Sequence, residues 1–387
     1  MPRLPSARLR GTVKAGGGDS QPPSYPMASA KKTSVKPRPV RVAIIGTGGM
    51  ANRHVELYRQ IPGVEIVAGC DVDRARVLDF CVRHGIPATG AYTDAGTLLR
   101  EVACDAVSNV TPDSFHAALS IQALKAGKHV LCEKPLGLDH AETRRMVAAA
   151  KKAGTVAMVN FSYRDWSALQ AMAVRVGQGE LGELRHVEAS YLQTWLTAPL
   201  WGDWRTTPAW LWRLSTGHGS KGVLGDVGVH IVDFATFPAG PIKQVYCQLK
   251  TFPKAPRNRI GEYQLDANDS AIMNVEFANG ALGTIHTTRW ATGHPNRLAL
   301  KLHGTLGALS FDSDLGTDVY RVCAGADAAT ATWREVRAEP TPNNHTRFIS
   351  AIRTGRPEQP DFARGSEVQR VLDACFESSA AGRPVRI

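Results

Sequence analysis

Gly46-Thr47-Gly48-Gly49-Met50-Ala51 lies directly after the apolar run Val40–Ile45 and opens a helical period at about 49–60. In this Gly-x-Gly-x-x-Ala turn the first glycine permits a tight reversal and the second lets backbone approach a pyrophosphate. The small Ala51 allows close packing of helix on strand. The helix N-terminus adds unpaired N–H groups and the positive end of its dipole. Asp71 stands at the end of the next apolar run, Val64–Cys70, where an acid can accept hydrogen bonds from both adenosine ribose hydroxyls. These residues have the chemistry of a dinucleotide cradle. Asp71 favours NAD over NADP, because a 2′-phosphate would meet like charge, softened by Arg74 and Arg76.

Two further clusters stand out. Glu133-Lys134-Pro135 follows the run Val130–Cys132, at the sheet edge where open α/β folds bind ligands. Asp226 and His230 stand four apart in a predicted helix at about 221–237, and so share one face. Taken alone, a lysine in a loop is usually a solvated charge and a lone histidine a satisfied one; a histidine titrating at about 6.5 and a buried lysine shifted downward are the types that can also serve as a base. Trp195, Trp201, Trp204, Trp210 and Trp212 crowd the stretch 195–213. They are expected either to pack as core or subunit interface, or to line a cleft where a sugar ring stacks on an indole. At least one is expected in the cleft.

The elements that must position these residues are legible as periodicity. Val40–Ile45, Val64–Cys70, Ala106–Val110, Val130–Cys132 and Val156–Val159 read as buried strands. Helical stretches alternate with them at about 49–60, 73–84, 94–101, 114–126 and 140–153. This alternation predicts a parallel sheet with helices on both faces. Beyond residue 160 a helix near 165–178 precedes a strand at about 184–194. Alternating segments follow at 242–252, 268–278, 281–290, 297–303 and 306–311, with short ones near 318–322 and 333–337. Asn279-Gly280 between two of them is a hairpin signal. Helices at about 344–354 and 364–381 close the chain. The expected organisation is a disordered basic extension over 1–39, an α/β Rossmann domain over 40–160, and an α+β domain over 161–387. The last carries a large, mostly antiparallel open sheet, and the closing helices are free to pack back on the Rossmann domain.

On these motifs the chain resembles the glucose-fructose oxidoreductase/inositol 2-dehydrogenase/rhizopine catabolism (Gfo/Idh/MocA) family from residue 40 onward. The pieces are the glycine turn, Thr111-Pro112 with His116, and the long run Ala126-Gly127-Lys128-His129-Val130-Leu131-Cys132-Glu133-Lys134-Pro135. Tyr163-Arg164, Gly225-Asp226-Val227-Gly228-Val229-His230, Asn279-Gly280-Ala281 and the ending from Asp373-Ala374 through Ser378 to Gly382 extend it. Asp113 departs from it, the family often having Asn there. The resemblance implies an NAD(P)-dependent oxidoreductase moving hydride between nicotinamide and a hydroxyl or keto carbon of a sugar, cyclitol or derivative. It implies His230 as proton acceptor, Lys134 orienting and polarising the oxygen, and Asp226 binding substrate hydroxyls. Gly46, Thr47, Gly48, Gly49, Met50, Ala51, Asp71, Thr111, Pro112, His116, Glu133 and Lys134 would line the cofactor, His116 chiefly as a structural residue. Asn160, Arg164, Trp212 and Arg213 would reach substrate or nicotinamide, and Asp233 would lie on a helix surface or interface. No metal is implied, and a homodimer or homotetramer through the C-terminal sheet is. Two other functions share the fold: a glycosidase that oxidises its sugar transiently on bound NAD, and a non-catalytic regulator. The intact Lys134, Asp226 and His230 set weighs against the regulator.

Composition narrows the classes. At 387 residues, 43% of them apolar and 21% charged, the chain suits about two domains with a large core. No run approaches the roughly 20 apolar residues of a membrane span. Residues 1–40 carry eight cations against Asp19, so most of the net +11 belongs to a Pro/Gly/Ser-rich segment that cannot bury a core. No basic helix or aromatic-basic alternation elsewhere suggests nucleic acid. The basic segment has no apolar stretch for a secretory signal and too much Pro and Gly for an amphipathic targeting helix; Met27 marks an alternative start. The seven cysteines are odd in number and never spaced as CxxC, which fits reduced thiols in a cytoplasmic protein.

Overall fold

The computed structural model describes residues 38–387, so the basic extension lies, but for its last two residues, outside the described residues. The first half alternates strand and helix: β1 Val40–Ile45, α1 Gly49–Arg59, β2 Val64–Cys70, α2 Arg74–Arg83, β3 Ala91–Tyr92, α3 Ala95–Glu101 and β4 Ala106–Asn109. Then come α4 His116–Lys125, β5 His129–Cys132, α5 His140–Ala153 and β6 Ala157–Val159. All six strands are parallel, in the order β3-β2-β1-β4-β5-β6. Strand order reverses between β1 and β4, which opens a crevice at their carboxyl ends where α/β sheets bind ligands. β3 escapes the periodicity reading because two residues at a sheet edge carry no period.

The α+β half contains α6 Ser167–Gly177, β7 Leu184–Gln193, α7 Pro208–Leu211, α8 Val229–Ala239 and β8 Ile242–Lys250. A small hairpin of β9 Arg259–Ile260 and β10 Tyr263–Gln264 precedes β11 Ser270–Phe277, β12 Leu282–Thr288, β13 Asn296–Gly304 and β14 Gly307–Asp312. β15 Val319–Ala324, α9 Ala326–Ala329, β16 Arg334–Arg337, α10 Asn344–Thr354, α11 Phe362–Ala381 and β17 Val385–Arg386 complete it. Nine strands form one sheet in the order β16-β15-β14-β13-β7-β12-β11-β8-β17, antiparallel except for the central β7–β12 pair. The hairpin at Asn279-Gly280 joins β11 to β12, with Gly280 at φ 88°, a left-handed conformation that side chains resist.

One apolar cluster runs from Ala43, Val107 and Val130 of the first sheet through Val229, Ile231 and Val232 of α8 to Ile285, Leu300 and Leu309 of the second. α8 is buried on nearly every side, which explains why it is apolar all round rather than amphipathic. α11 packs on α5 and β8, while Phe348 and Ile349 of α10 join Val42, Ile44, Ala51 and Val55 in a second cluster. The two closing helices thus brace both ends of the first strand layer. α5, α10 and α11 each end at a left-handed glycine, Gly154, Gly355 and Gly382.

Candidate active site

The glycine turn is built as its spacing requires. Gly46 has φ 87°, and a Cβ on it would stand 2.7 Å from the backbone of Val110 and Thr111. Only glycine fits, because the segment leaving β4 passes directly beneath the turn. Cβ atoms on Gly48 and Gly49 would meet nothing within 4 Å, so the space above α1 is open. The N-termini of α2, α3, α5, α10 and α11 are capped by Asp73, Asp94, Asp139, Asn343 and Asp361. That of α1 starts at Gly48 with no side-chain cap and no acid in its first turn. Open space over uncapped amides and a dipole end fits a pyrophosphate. Ala51 is fully buried against the sheet, while Met50 is exposed.

Asp71 anchors the far end of this cradle. Its Oδ2 accepts from the Thr47 N–H at 2.9 Å and the Thr47 hydroxyl at 3.0 Å; its Oδ1 accepts from the Asp73 N–H and the Arg76 guanidinium. Partial burial is the largest influence on this carboxyl and would raise its pKa. The donors from Thr47 and Asp73, with the charge of Arg76, outweigh it and hold the acid ionised.

Lys134 follows β5, and its Nζ donates to the Asp226 carbonyl at 3.1 Å and to Asp226 Oδ1 at 3.4 Å. The same carboxylate accepts from Arg213 at 3.0 Å and from Arg289 at 2.9 Å. Burial opposes its ionisation, but three cations prevail and keep it well below the usual carboxylate range. Where a plain helix over 221–237 is expected, a π-helical turn at Leu224–Gly228 precedes α8. Asp226 sits in that turn and His230 in the first turn of α8, and both line one cleft with Lys134. Such widened turns accumulate at functional sites.

His230 is held neutral. Burial, followed by the nearby charge of Lys134, pushes its pKa down to about 3, against the raising influence of Asp226, Glu133 and Asp233. Nδ1 is buried without a partner, and Nε2 makes no hydrogen bond within the described residues. The Tyr163 ring packs edge-on at 4.6 Å. The unprotonated imidazole has a nitrogen open to accept a proton, and the charge of Lys134 opposes the imidazolium that would result while Asp226, Glu133 and Asp233 favour it.

Several expected contacts take other places. Glu133 is buried, its Oε1 accepting from Asn160 Nδ2 at 2.6 Å and lying 2.8 Å from His54 Nε2. Those bonds and the charge of Lys134 outweigh burial, the largest influence, and bring its pKa down to about 2. Asn160 therefore supports Glu133 instead of reaching into the cleft. Arg164 is likewise withdrawn: its guanidinium makes a buried two-pronged pair with Asp233 at 2.7 and 2.8 Å and stacks on Phe237. Asp233, expected on a helix surface or interface, is instead buried within the chain and also bound by Arg364 at 2.7 Å, two guanidinium groups offsetting the cost of burying its charge.

His116 lies 2.6 Å from the Pro135 carbonyl oxygen through Nδ1 and 2.8 Å from that of Thr111 through Nε2. Carbonyls only accept, so both ring nitrogens donate and the ring is an imidazolium joining the two loops. Burial, the largest influence, would lower its pKa, but the Cys132 sulfur and the two carbonyls push it up to about 9. Thr111 also bonds the Asn109 side chain, which orders the loop at Thr111-Pro112.

The tryptophan stretch splits. Trp204 is buried in a small core with Trp195, Leu196, Leu211, Leu214 and Leu265. Trp195, Trp201 and Trp210 line the cleft together with Arg213. Trp212, expected at the substrate, does not line it; the ring lies against the Arg213 guanidinium and is partly exposed. Sequence reasoning missed Tyr191 and Gln193, which line the cleft beside Trp195. Their spacing at alternate positions toward the end of β7 is a signal that could have found them. Arg289 and His54 had no such signal, since their partners come from distant elements.

Residues 40–161 match an oxidoreductase family with an NAD-binding Rossmann fold, and residues 169–310 match the GFO/IDH/MocA C-terminal domain. A crystal structure of an oxidoreductase domain protein from Kribbella flavida is 32% identical, with a TM-score of 0.79 over 90% of this chain and 99% of that one. The chain belongs to the Gfo/Idh/MocA oxidoreductases. Within that family, the levoglucosan dehydrogenase of Pseudarthrobacter phenanthrenivorans is 27% identical over 386 residues, 88% of this chain and 96% of that enzyme. A levoglucosan dehydrogenase structure in complex with NADH and levoglucosan is 27% identical, with a TM-score of 0.80 over 90% of this chain and all of that one. The Gfo/Idh/MocA fold thus accounts for both layers of the chain. Among the described residues no helix is long and apolar enough to cross a membrane, and no cluster of acids, histidines or cysteines could hold a metal ion.

Proposed function

We propose that this Gfo/Idh/MocA protein is an NAD-dependent dehydrogenase acting on a CH–OH group of a sugar, cyclitol or derivative. The observation that carries the reading is the neutral His230, free at Nε2, beside a Lys134 that Asp226 holds in the same cleft. NAD, when bound, accepts the hydride from the substrate carbon or returns it.

The residues divide the remaining work. His230 takes the hydroxyl proton as the C–H bond is lost, becoming an imidazolium whose charge Asp226, Glu133 and Asp233 favour. Lys134 donates toward the reacting oxygen and stabilises its developing negative charge. Asp226, fixed by three cations, orients Lys134 and offers its remaining capacity to a neighbouring hydroxyl. Arg213 and Gln193 supply further donors at the cleft wall. For the cofactor, Asp71 supports NAD over NADP: the partly exposed Arg76 is the partner a ribose hydroxyl can displace, whereas a phosphate would face the carboxylate. The family relation to a levoglucosan dehydrogenase supports a sugar as the substrate class.

Lys134→Ala tests the assignment in a screen of sugars and cyclitols with NAD, read at 340 nm. Loss of NADH formation with NAD affinity retained is expected. Turnover that survives the substitution refutes the role of Lys134. Sugar cleavage without net NADH would move the protein to the glycosidase reading.

The setting follows the same proposal. All seven cysteines are free and buried, which supports a reducing, cytoplasmic environment. Ile272 of β11 and Leu282 of β12 stand exposed on the second sheet, supporting a homodimer or homotetramer that covers it.

A further inference from the structure

The cleft of about 280 Å³ changes character along its length. Lys134, Asp226 and His230 occupy one end, with His230 only 7% exposed. Arg289 and Arg213 flank Asp226, and each guanidinium lies against an indole: the buried Arg289 lies over Trp195 at 4.7 Å, and Arg213 lies 5.7 Å from Trp210. The two indoles are 6.1 Å apart. Beyond them Trp201 is 43% exposed and its neighbour Leu200 57%. Trp210 Nε1 donates to the Trp201 carbonyl at 3.1 Å, so that N–H is used within the chain and the ring presents carbon. Charged and hydrogen-bonding groups give way, over two side-chain layers, to open aromatic surface.

We propose that this outer end is an aglycone subsite: the substrate is a glycoside whose apolar, aromatic aglycone rests on Trp201 and Trp210 while its sugar ring meets Lys134, Asp226 and His230. The inference rests on the dehydrogenase reading given above. A free monosaccharide carries hydroxyls around its whole rim. Seated at the polar end, it would turn some of them toward indole carbon, where a lost hydrogen bond to water goes uncompensated. An aromatic aglycone removes that conflict and covers exposed apolar surface on both partners. Trp201, Gly202 and Trp210 line the same cleft as the reacting groups, so what covers them is most simply attached to what reacts.

The test uses the full chain with NAD and, for each sugar of the screen, compares the phenyl glycoside with the methyl glycoside. Burying a phenyl group should raise kcat/KM about tenfold or more, mainly through KM. Trp201→Ala should bring the phenyl-to-methyl ratio near one, and Trp201→Phe should keep most of it, which separates loss of the platform from loss of folding. Equal kcat/KM for both glycosides in the wild type, or a ratio that Trp201→Ala leaves intact, overturns the aglycone subsite while leaving the dehydrogenase standing. An intact ratio with altered elution in size-exclusion chromatography would mean that a second copy of the chain covers Trp201. If no sugar, cyclitol, methyl glycoside or phenyl glycoside yields NADH, the dehydrogenase reading falls and the subsite falls with it.

Discussion

Asp226 and Arg289 form an ion pair whose two members depend on it unequally, and this asymmetry can be measured. Asp226 receives Lys134, Arg213 and Arg289, whereas the fully buried Arg289 has Asp226 as its ion-pair partner; its Nη1 reaches only the Arg213 carbonyl and its Nε has no partner. Removing one member of a buried pair and leaving the other uncompensated costs about 3–5 kcal/mol. Asp226→Asn should fall at the lower end, about 3 kcal/mol. The amide oxygen can still accept a hydrogen bond, and Asp269 still lends Arg289 some favourable charge. Arg289→Met should cost only about 1–2 kcal/mol, because Asp226 keeps two cations and the thioether chain fills much of the same space. In the double variant no orphaned guanidinium remains, so its cost should fall short of the sum by about 1–2 kcal/mol. Equilibrium unfolding in guanidinium chloride, followed by tryptophan fluorescence on the cofactor-free protein, gives all three values. The reasoning is refuted if Arg289→Met costs more than Asp226→Asn, or if the two effects simply add.

Three other outcomes are expected. Gly46→Ala should cost about 2 kcal/mol or more, since the left-handed backbone is strained for alanine and the added Cβ would meet the backbone of Val110 and Thr111, just past β4, at 2.7 Å. NAD affinity measured by calorimetry should fall with it; an unchanged Kd would separate the turn from the cofactor. Asp71→Ala should raise the ratio of kcat/KM with NADP to that with NAD by about tenfold or more, as a carboxylate repelling the 2′-phosphate is removed; an unchanged ratio would place cofactor choice elsewhere. His230, with its pKa down at about 3, is already deprotonated at pH 6, so kcat/KM should show no acid limb near 6.5. Its depressed value also means that the stability it contributes is present above pH 6.5 and is lost as pH falls toward 3. His230→Asn should flatten that part of the Tm profile; an acid limb near 6.5 in the wild-type kcat/KM profile, or a Tm profile that the variant leaves unchanged, would show a solvated histidine instead.

The dinucleotide cradle was legible because it is local. Turn, strand and helix adjoin in the chain, so the geometry that demands glycine at 46 acts within a few residues and leaves its mark in their types. The parallel order of the first sheet was legible for a related reason: short Val-rich runs alternating with helical periods have few ways to pack. The second sheet showed all its strands but the two-residue β17, and it hid the parallel β7–β12 pairing, because strand periodicity does not encode the neighbour. Arg164 and Asp233 show the limit most clearly. Both are charged residues beside apparent site motifs, and nothing in their immediate neighbours says that they will neutralise each other in the interior.

What the sequence alone determined was which side chains are candidates: Gly46 to Ala51 and Asp71 for the cofactor, and Lys134, Asp226 and His230 for the chemistry. Only the tertiary structure decided how those groups are charged and which tryptophans matter. It buries His230 beside Lys134 and so keeps the imidazole neutral, and it gives Asp226 three cations from three separate segments. It also turns Trp204 into the core while leaving Trp195, Trp201 and Trp210 along the cleft. Residue types record what a side chain can do; its solvent, its partners and hence its protonation depend on elements that only folding brings together.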